Sequence, residues 1–460
     1  MNQQEQPDIR RYKALRTARG TYESNWRDIA SFVYPESDGF FVNSQQSTRG
    51  ERKRQKLYDM TAAESLPKFS SVLSSLITPR NSRYHKLEHP DATRDIPIFD
   101  EYYEAVTDIL FKARYAYTAN FQAQTDAMFK SLGAFGNGCI YVDEDHANPG
   151  QIRYKACFLG DTYVQPNHQG QVDHVFRRFD LSNTAAASHP LFDGKLPPEV
   201  TRMLDKDPFG EQEYLHVVKP NEDKMRGTGA YDRKDWKSCY YHVETGKLLY
   251  VGYYGRMPYI FTRWSESVHE YYGIGPAGIS LPFIRVVNRQ ERSQLRSLEK
   301  QVDPTVLAVD DGWMGAGRDA ISLDPGAVIS GGMSGDGKRL YDTLQTGART
   351  DLNFQDMEYK RRKIEAAFLV DQFNLNNETK RMTAFEVTAR MREQGDILGP
   401  IIGRLETEFL GPLIDRELEL LADMGKLPPA PQGAENYEIR FQSPLTRLQM
   451  SEELMGIEQV

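Results

Sequence analysis

The stretch GMSGDGKR, Gly332–Arg339, has the Gly-x-x-x-x-Gly-Lys spacing with which a backbone loop cradles phosphates. Such a loop needs a Ser or Thr after the lysine to hold magnesium, and it should open a long helix. Here Arg339 takes that place and LYDTLQTGART follows, so the stretch reads as a flexible glycine loop. GAFGNG, Gly133–Gly138, comes after a helical pattern and before a strand-like one. That is the reverse of a dinucleotide fingerprint, and it reads as a helix C-cap with a turn. The oxygen-rich DEDH at 143–146 falls at a hairpin tip, where solvated carboxylates are the simpler reading than a metal site. Neither His-Glu-x-x-His nor Gly-x-Ser-x-Gly occurs, and the three cysteines (Cys139, Cys157, Cys239) match no zinc spacing. No catalytic, cofactor-binding or metal-ligating residue is assigned, no cofactor is expected, and the chain is not read as an enzyme.

Basic residues give a clearer pattern. Arg285, Arg289, Arg292, Arg296 and Lys300 recur at spacings of four, three, four and four. At about 100° per residue this sets all five on one narrow helical stripe. Leu281, Ile284, Val287, Leu295, Leu298 and Val302 fall on another face, with Glu291 and Glu299 flanking the stripe, placed to pair with neighbouring helices. A solvated face paired with neighbouring acids is the plain reading. The functional reading is a helix packed by its apolar side while its basic side meets a polyanion. Lys380-Arg381 form a second basic point, in a polar loop; the run VNSQQSTRGERKRQK (42–56) is a third, read as a solvated loop or a contact with a partner or a nucleic acid.

These residues need elements to hold them. Residues 9–35 predict one amphipathic helix ending at Pro35, and MTAAESLPKFSSVLSSLITP predicts a second, bent at Pro67. Two more helices fall between Ile96 and Gly138. From Cys139 to about Trp264 the pattern alternates around Asn-Pro-Gly and Asn-His-Gln-Gly turns, which predicts antiparallel hairpins and an α+β fold. A helix over about 279–302 follows, then short strands among glycines, then a further helix in TDLNFQDMEYKRRKIEAAFLV. MTAAE (60–64) and MTAFE (382–386) both read as Thr-x-x-Glu capping boxes, so Thr61 and Thr383, with Glu386, mark helix starts. The long helix after Thr383 is interrupted at Gly395, Gly399-Pro400, Gly403 and Gly411-Pro412, and a kink is expected near Gly399-Pro400. Its apolar row is Leu398, Ile402, Leu405, Phe409 and Leu413. YEIRFQSPL alternates as a strand, with Tyr437, Ile439 and Phe441 on one face.

Composition bounds the function. Of 460 residues 27% are charged and 39% apolar, and the formal net charge is -8. An acidic chain does not grip DNA tightly as a whole, so any DNA role must rest on local basic rows. No apolar run approaches a bilayer span, the N-terminus has no apolar signal segment, and the three cysteines fit a reducing cytosol. The chain ends in an uncapped helical pattern, from which a continuation is expected.

YGIGPAGISLPFIRVVNRQ, QVDPTVLAVDDG, MTAFEVTARMREQGDILGPIIGRLETEFLGPLI and YEIRFQSPL, preceded by LSSLITP and SLGAFGNGCIYVDED, occur here in an order that resembles the portal (head-to-tail connector) family of short-tailed bacteriophages. The resemblance implies a portal fold. Its parts would be a wing of helices and mainly antiparallel sheet at 1–272, stem helix 1 at 273–302, a small α/β clip at 303–345 and stem helix 2 at 346–370. A tunnel loop at 371–382, with Asn374, Asn376, Asn377, Lys380 and Arg381, would lead into the long kinked wing helix and returning strand at 383–444. A short helical crown would start at 445–460. It also implies a homo-oligomeric ring, usually of twelve, at one capsid vertex. Double-stranded DNA would pass through it without sequence specificity during packaging and ejection. The implied partners are terminase, a tail or neck adaptor, and capsid and scaffolding proteins. No membrane is involved, and the place is the virion, or the host cytoplasm during assembly. Three rival readings are a neck or tail adaptor ring, an ATP-driven nucleic-acid translocase, and a scaffold unconnected with phage.

Overall fold

The computed structural model describes residues 6–37, 57–90, 97–192, 194–222, 234–267, 270–302, 306–308, 341–343, 350–370, 398–434 and 436–442. Helices and antiparallel sheet are combined as the α+β reading predicts. Four helices come first: α1 (Pro7–Ala18), α2 (Gly20–Val33), α3 (Thr61–Ile77) and, after the short strand β1 (His85–Glu88), α4 (Pro97–Arg114). α5 (Phe121–Phe135) then leads straight into β2 (Asn137–Glu144) and β3 (Ile152–Ala156). Next come β4 (Thr162–Pro166), β5 (Val172–Ser182), the short helices α6 (Asn183–Ala187) and α7 (Pro198–Lys206), and the strands β6 (Glu211–Pro220), β7 (Trp236–His242), β8 (Leu248–Tyr254) and β9 (Tyr259–Arg263). The last part holds α8 (Pro276–Val302), β10 (Val306–Ala308), β11 (Tyr341–Thr343), α9 (Thr350–Ala367), α10 (Gly411–Asp423) and β12 (Glu438–Phe441).

The strands form two larger sheets, β3-β2-β9 and β4-β5-β6-β7-β8, and two pairs, β1-β12 and β10-β11. Every pairing is antiparallel. The β4–β5 hairpin turns where the sequence predicts. Asn167 Oδ1 accepts from the amides of Gln169 (2.9 Å) and Gln171 (3.1 Å), and Gly170 takes a φ of +83°. The five-stranded sheet buries both faces at a period of two. Leu215, Val217, Cys239 and Tyr241 pack under Ile9 and Tyr12 of α1, while Tyr214, Tyr240 and Leu249 pack under Phe192. The main core lies elsewhere. Phe69 of α3, Phe129 and Leu132 of α5, Ile140 of β2 and Leu413 of α10 are all fully buried there.

Three expectations are corrected. The first helix is two, broken at Arg19, whose guanidinium is buried and donates to the carbonyls of Leu159 (2.9 Å), Gly160 (2.5 Å) and Thr162 (2.8 Å). The same group stacks over the Tyr163 ring at 3.5 Å, so the break docks the N-terminal helices onto the β3–β4 connection. Second, α3 starts at Thr61 but Thr61 is not its cap: Asp59 Oδ1 accepts from the Thr61 amide at 3.1 Å. An aspartate two residues ahead reaches that amide directly, so the Thr-x-x-Glu box does not form. Third, the DEDH carboxylates are not idle at a hairpin tip. Asp145 accepts from the Ala147 amide (3.0 Å) and from Asn148 (2.9 Å), and Glu144 accepts from the Gly150 amide (2.8 Å).

Candidate functional site

Two of the glycine-bearing motifs meet in space. α5 ends at Phe135 and Gly136 takes a φ of +75°, the left-handed cap expected of GAFGNG. Gly136 lies against Gly273 and Gly275 of YGIGPAG, the segment that leads into α8. A Cβ on Gly136 would sit 2.4 Å from the Gly275 nitrogen, and one on Gly275 would sit 2.7 Å from the Gly136 nitrogen. Asn137 fastens the crossing. Its amide nitrogen donates to Phe135 O (2.8 Å) and Gly273 O (3.1 Å), and its oxygen accepts from the Gly273 amide (2.8 Å). The Trp264 amide donates to Gly136 O at 2.9 Å. The direction of α8 is thus set by main-chain contact with the end of α5.

From this joint α8 runs antiparallel beside α9, and the β10–β11 pair closes the far end with Leu307 opposite Asp342. Ala277, Ile284 and Val287 are buried on α8, and Met357, Ile364 and Phe368 on and just after α9. Polar side chains continue the contact: Gln290 donates to Asp356 (2.6 Å) and Asn353 to Gln294 (3.0 Å). Arg361 is the hub. Its guanidinium donates to Asp59 ahead of α3 (2.8 Å), Glu291 of α8 (2.9 Å) and Glu358 of α9 (3.1 Å). Burial works against its charge, but the carboxylates of Asp59, Glu358 and Glu291 hold it above the ordinary arginine value. Glu291 therefore pairs with a neighbouring helix, as its place beside the stripe suggests.

The basic stripe lies on α8 as its spacing requires, and Arg285, Arg289, Arg292 and Arg296 are all exposed. Two members touch their own chain: Arg285 pairs with Asp28 of α2, and Arg292 lies over the Tyr58 ring at 5.6 Å. Lys300 is in the last turn of α8. The segment with Asn374, Asn376, Asn377, Lys380, Arg381, Thr383 and Glu386 lies outside the described residues, as do 42–56 and Gly332–Arg339.

Gly399 and Pro400 are helical, within a run over 398–405. The irregularity among the described residues falls further on. Residues Glu406–Leu410 form a π-turn, and the Gly411 amide donates to Glu406 O, five residues back. Pro412 follows with no amide to donate and a ring that would crowd the carbonyl of Glu408, which accounts for a turn wound wide at that place. The predicted apolar row packs well: Leu398, Leu405, Phe409 and Leu413 are buried and Ile402 is half-buried.

Buried ions bolt this C-terminal segment to the strands. Glu408 accepts from the Arg263 amide (2.8 Å) and guanidinium (2.8 Å). Arg416 donates to Val142 O (3.2 Å), Asp143 (3.0 Å) and Glu419 (2.7 Å). Arg114 of α4 and Glu417 of α10 form a bidentate pair with side chains 0% and 1% exposed. Tyr84 accepts from Arg114 (2.6 Å), Tyr154 donates to Glu417 (2.5 Å), and His85 Nε2 is 2.9 Å from the guanidinium. Burial, reinforced by Arg114, pushes His85 well below the ordinary histidine value.

Sequence reasoning missed Asn137, Arg361 and the Arg114–Glu417 pair. Arg361 sits in the charged run YKRRK, where nothing marks it from its neighbours. Asn137 lay inside GAFGNG, and only the two glycine motifs read together could have flagged it.

This arrangement, a helix-and-sheet body with a two-helix hairpin on a glycine joint, falls within one family across residues 7–460: the chain belongs to the bacteriophage head to tail connecting proteins. Among curated proteins it is 25% identical over 448 residues to the portal protein of Salmonella phage epsilon15. It is 24% identical over 446 residues to a probable portal protein of Bordetella phage BPP-1. Each match covers 94% of this chain and 77% of the relative. A chain of the native gene transfer agent virion aligns over 87% of this chain and 86% of its own, with 13% identity and a TM-score of 0.39. Among the described residues no helix is long and apolar enough to cross a membrane.

Proposed function

We propose that this chain is the protomer of a phage portal, a ring at one capsid vertex through which double-stranded DNA is packaged and ejected without sequence readout. The observation that carries this reading is the family match over residues 7–460, a span that includes the body, the hairpin and the returning segment together. The assignment of parts follows: wing at 1–272 and 383–444, stem helices at 273–302 and 346–370, clip at 303–345, tunnel loop at 371–382 and crown from 445. On this reading about twelve copies close the ring, terminase docks on the clip during packaging, and a tail or neck adaptor replaces it. Capsid and scaffolding proteins surround the wing, and assembly takes place in the host cytoplasm. The chain itself has a conduit's task, with no catalytic role assigned.

Physics favours a weakly gripping channel. Each phosphate neutralised by a fixed cation adds affinity through counterion release, so a channel dense in bound cations would stall moving DNA. A net charge of -8 with an exposed arginine stripe on α8 suits guidance without capture.

The test is the mass and image of the purified full chain. A closed ring that seats at one vertex of procapsids is expected. A monomer or dimer under every condition would overturn the portal reading, and a ring that joins only after DNA filling would point to an adaptor.

A further inference from the structure

Two of the three cysteines face each other. The β2–β3 register pairs Ile140 with Ala156, and one step further it sets Cys139 opposite Cys157, whose amide donates to Cys139 O at 2.8 Å. Residues opposed in this way in antiparallel strands have Cα atoms about 4.5–5.5 Å apart, within the span a disulfide bridges. Both thiols are free, and they share a hydrogen bond. The third, Cys239, lies on β7 in the separate cluster under α1.

The two sulfurs are not equivalent. Cys157 is 5% exposed and Cys139 2%. Arg153 and Lys155, on the same face of β3 as Cys157, are exposed, so a solute as small as hydrogen peroxide approaches from that side. Burial disfavours a thiolate at Cys157, but the hydrogen bond from Cys139 and the charges of Arg177 on β5 and Lys155 outweigh it. They hold Cys157 below the ordinary cysteine value. Cys139, the donor in that bond, is pushed well above the ordinary value by the bond and by burial. The pairing divides the tasks of attacking and resolving sulfur.

We propose that Cys157 and Cys139 are a peroxide-responsive pair that closes a disulfide between β2 and the β3–β4 connection. The Cys157 thiolate attacks one oxygen of hydrogen peroxide, the O–O bond breaks, and the departing hydroxide takes up the thiol proton as water. The Cys139 sulfur then attacks the Cys157 sulfenic acid, the S–O bond breaks, and the oxygen leaves as a second water with the Cys139 proton. The two sulfurs give up two electrons and the peroxide takes them. Tyr259, on the same face of the three-stranded sheet, bonds His216 of the five-stranded one at 2.6 Å. The disulfide would therefore staple the seam between the two sheets, beside the carbonyls that hold Arg19. The inference stands apart from the ring assignment. A reducing cytoplasm keeps the pair open, and a chain released from it can close the bond.

The test treats the purified full chain with hydrogen peroxide, alkylates it with N-ethylmaleimide in denaturant and maps the peptides by mass spectrometry. A Cys139–Cys157 peptide lighter by two hydrogens is expected, opened by dithiothreitol, with Cys239 alone alkylated. Three alkylated cysteines after peroxide, or Cys157 carried to sulfinic acid with Cys139 still free, overturn the proposal. Cys139→Ser is the second arm. Without its resolving partner Cys157 should accumulate as sulfenic acid and be captured by dimedone, whereas Cys157→Ser should leave Cys139 unlabelled. Equal dimedone labelling of the two variants would contradict the division of tasks. The urea midpoint should rise on oxidation of the parent chain, and an equal midpoint before and after would sink the staple. Should a variant fail to fold, the two measurements on the parent chain decide.

Discussion

Replacing Glu417 by Gln keeps the shape of the side chain but leaves the Arg114 guanidinium charged, fully buried and without its carboxylate. Removing one partner of such a pair costs about 3–5 kcal/mol, because the remaining charge has lost its compensation out of reach of water. Arg114→Met should cost somewhat less, since Glu417 keeps the Tyr154 hydroxyl as a donor. The double variant is the informative one. It removes both charges but takes the Arg114 partner from Tyr84 and His85, so it should not recover the parent's stability. It should nevertheless be less destabilised than the sum of the singles, by about 2–3 kcal/mol. Urea denaturation followed by tyrosine and tryptophan fluorescence, at one fixed protomer concentration, reads these differences directly. Singles that add to within about 0.5 kcal/mol would show that the two groups act independently and refute the argument.

The joint is tested with Gly136→Ala, which forces a side chain into left-handed backbone and onto the Gly275 nitrogen. It should destabilise by more than about 2 kcal/mol, while Gly399→Ala, with open space at its Cβ, should stay within about 1 kcal/mol of the parent in the same urea titration. Arg361→Ala severs three carboxylate bonds at once and should cost about 1.5–3 kcal/mol, with protease cleavage between α8 and α9 appearing earlier in a time course. His85, and His216 on β6 with its buried ring between Tyr259 (2.6 Å) and Ser238 (2.8 Å), are both held well below the ordinary histidine value, chiefly by burial, so each stays neutral when folded and gains a proton on unfolding. Their stabilisation is therefore complete above about pH 6.5 and drains away as pH falls below it, by about 1.4 kcal/mol per pH unit for each. A urea midpoint equal at pH 7.5 and pH 5.5 would contradict this, and His216→Phe should flatten the dependence.

Local pattern carried much of the architecture. The hairpins announced themselves through period-two alternation and turn residues such as Asn167–Gly170, and α8 through its threefold and fourfold spacings. What escaped was decided by tertiary contact. Arg19 splits a helix that reads as continuous because its guanidinium finds three carbonyls more than a hundred residues away. Asp59 displaces a cap box that is correct in sequence. The π-turn before Pro412 was legible only as a break of some kind, since a Gly-Pro pair marks an interruption without fixing its geometry. Of the site, the arginine stripe was visible, while the glycine joint and the Arg361 hub were not, because each is assembled from residues far apart in the chain.

The glycine joint has a consequence for how the hairpin tolerates change. α8 is aimed by backbone atoms of Gly136, Gly273 and Gly275 and by one asparagine, and the exposed Arg289 and Arg296 further along lie outside that joint. Substitutions along the outside of α8 can alter its charge or its stickiness without redirecting it. The joint separates the bearing of the shaft from the finish of its surface, so lining and contact can drift independently of alignment.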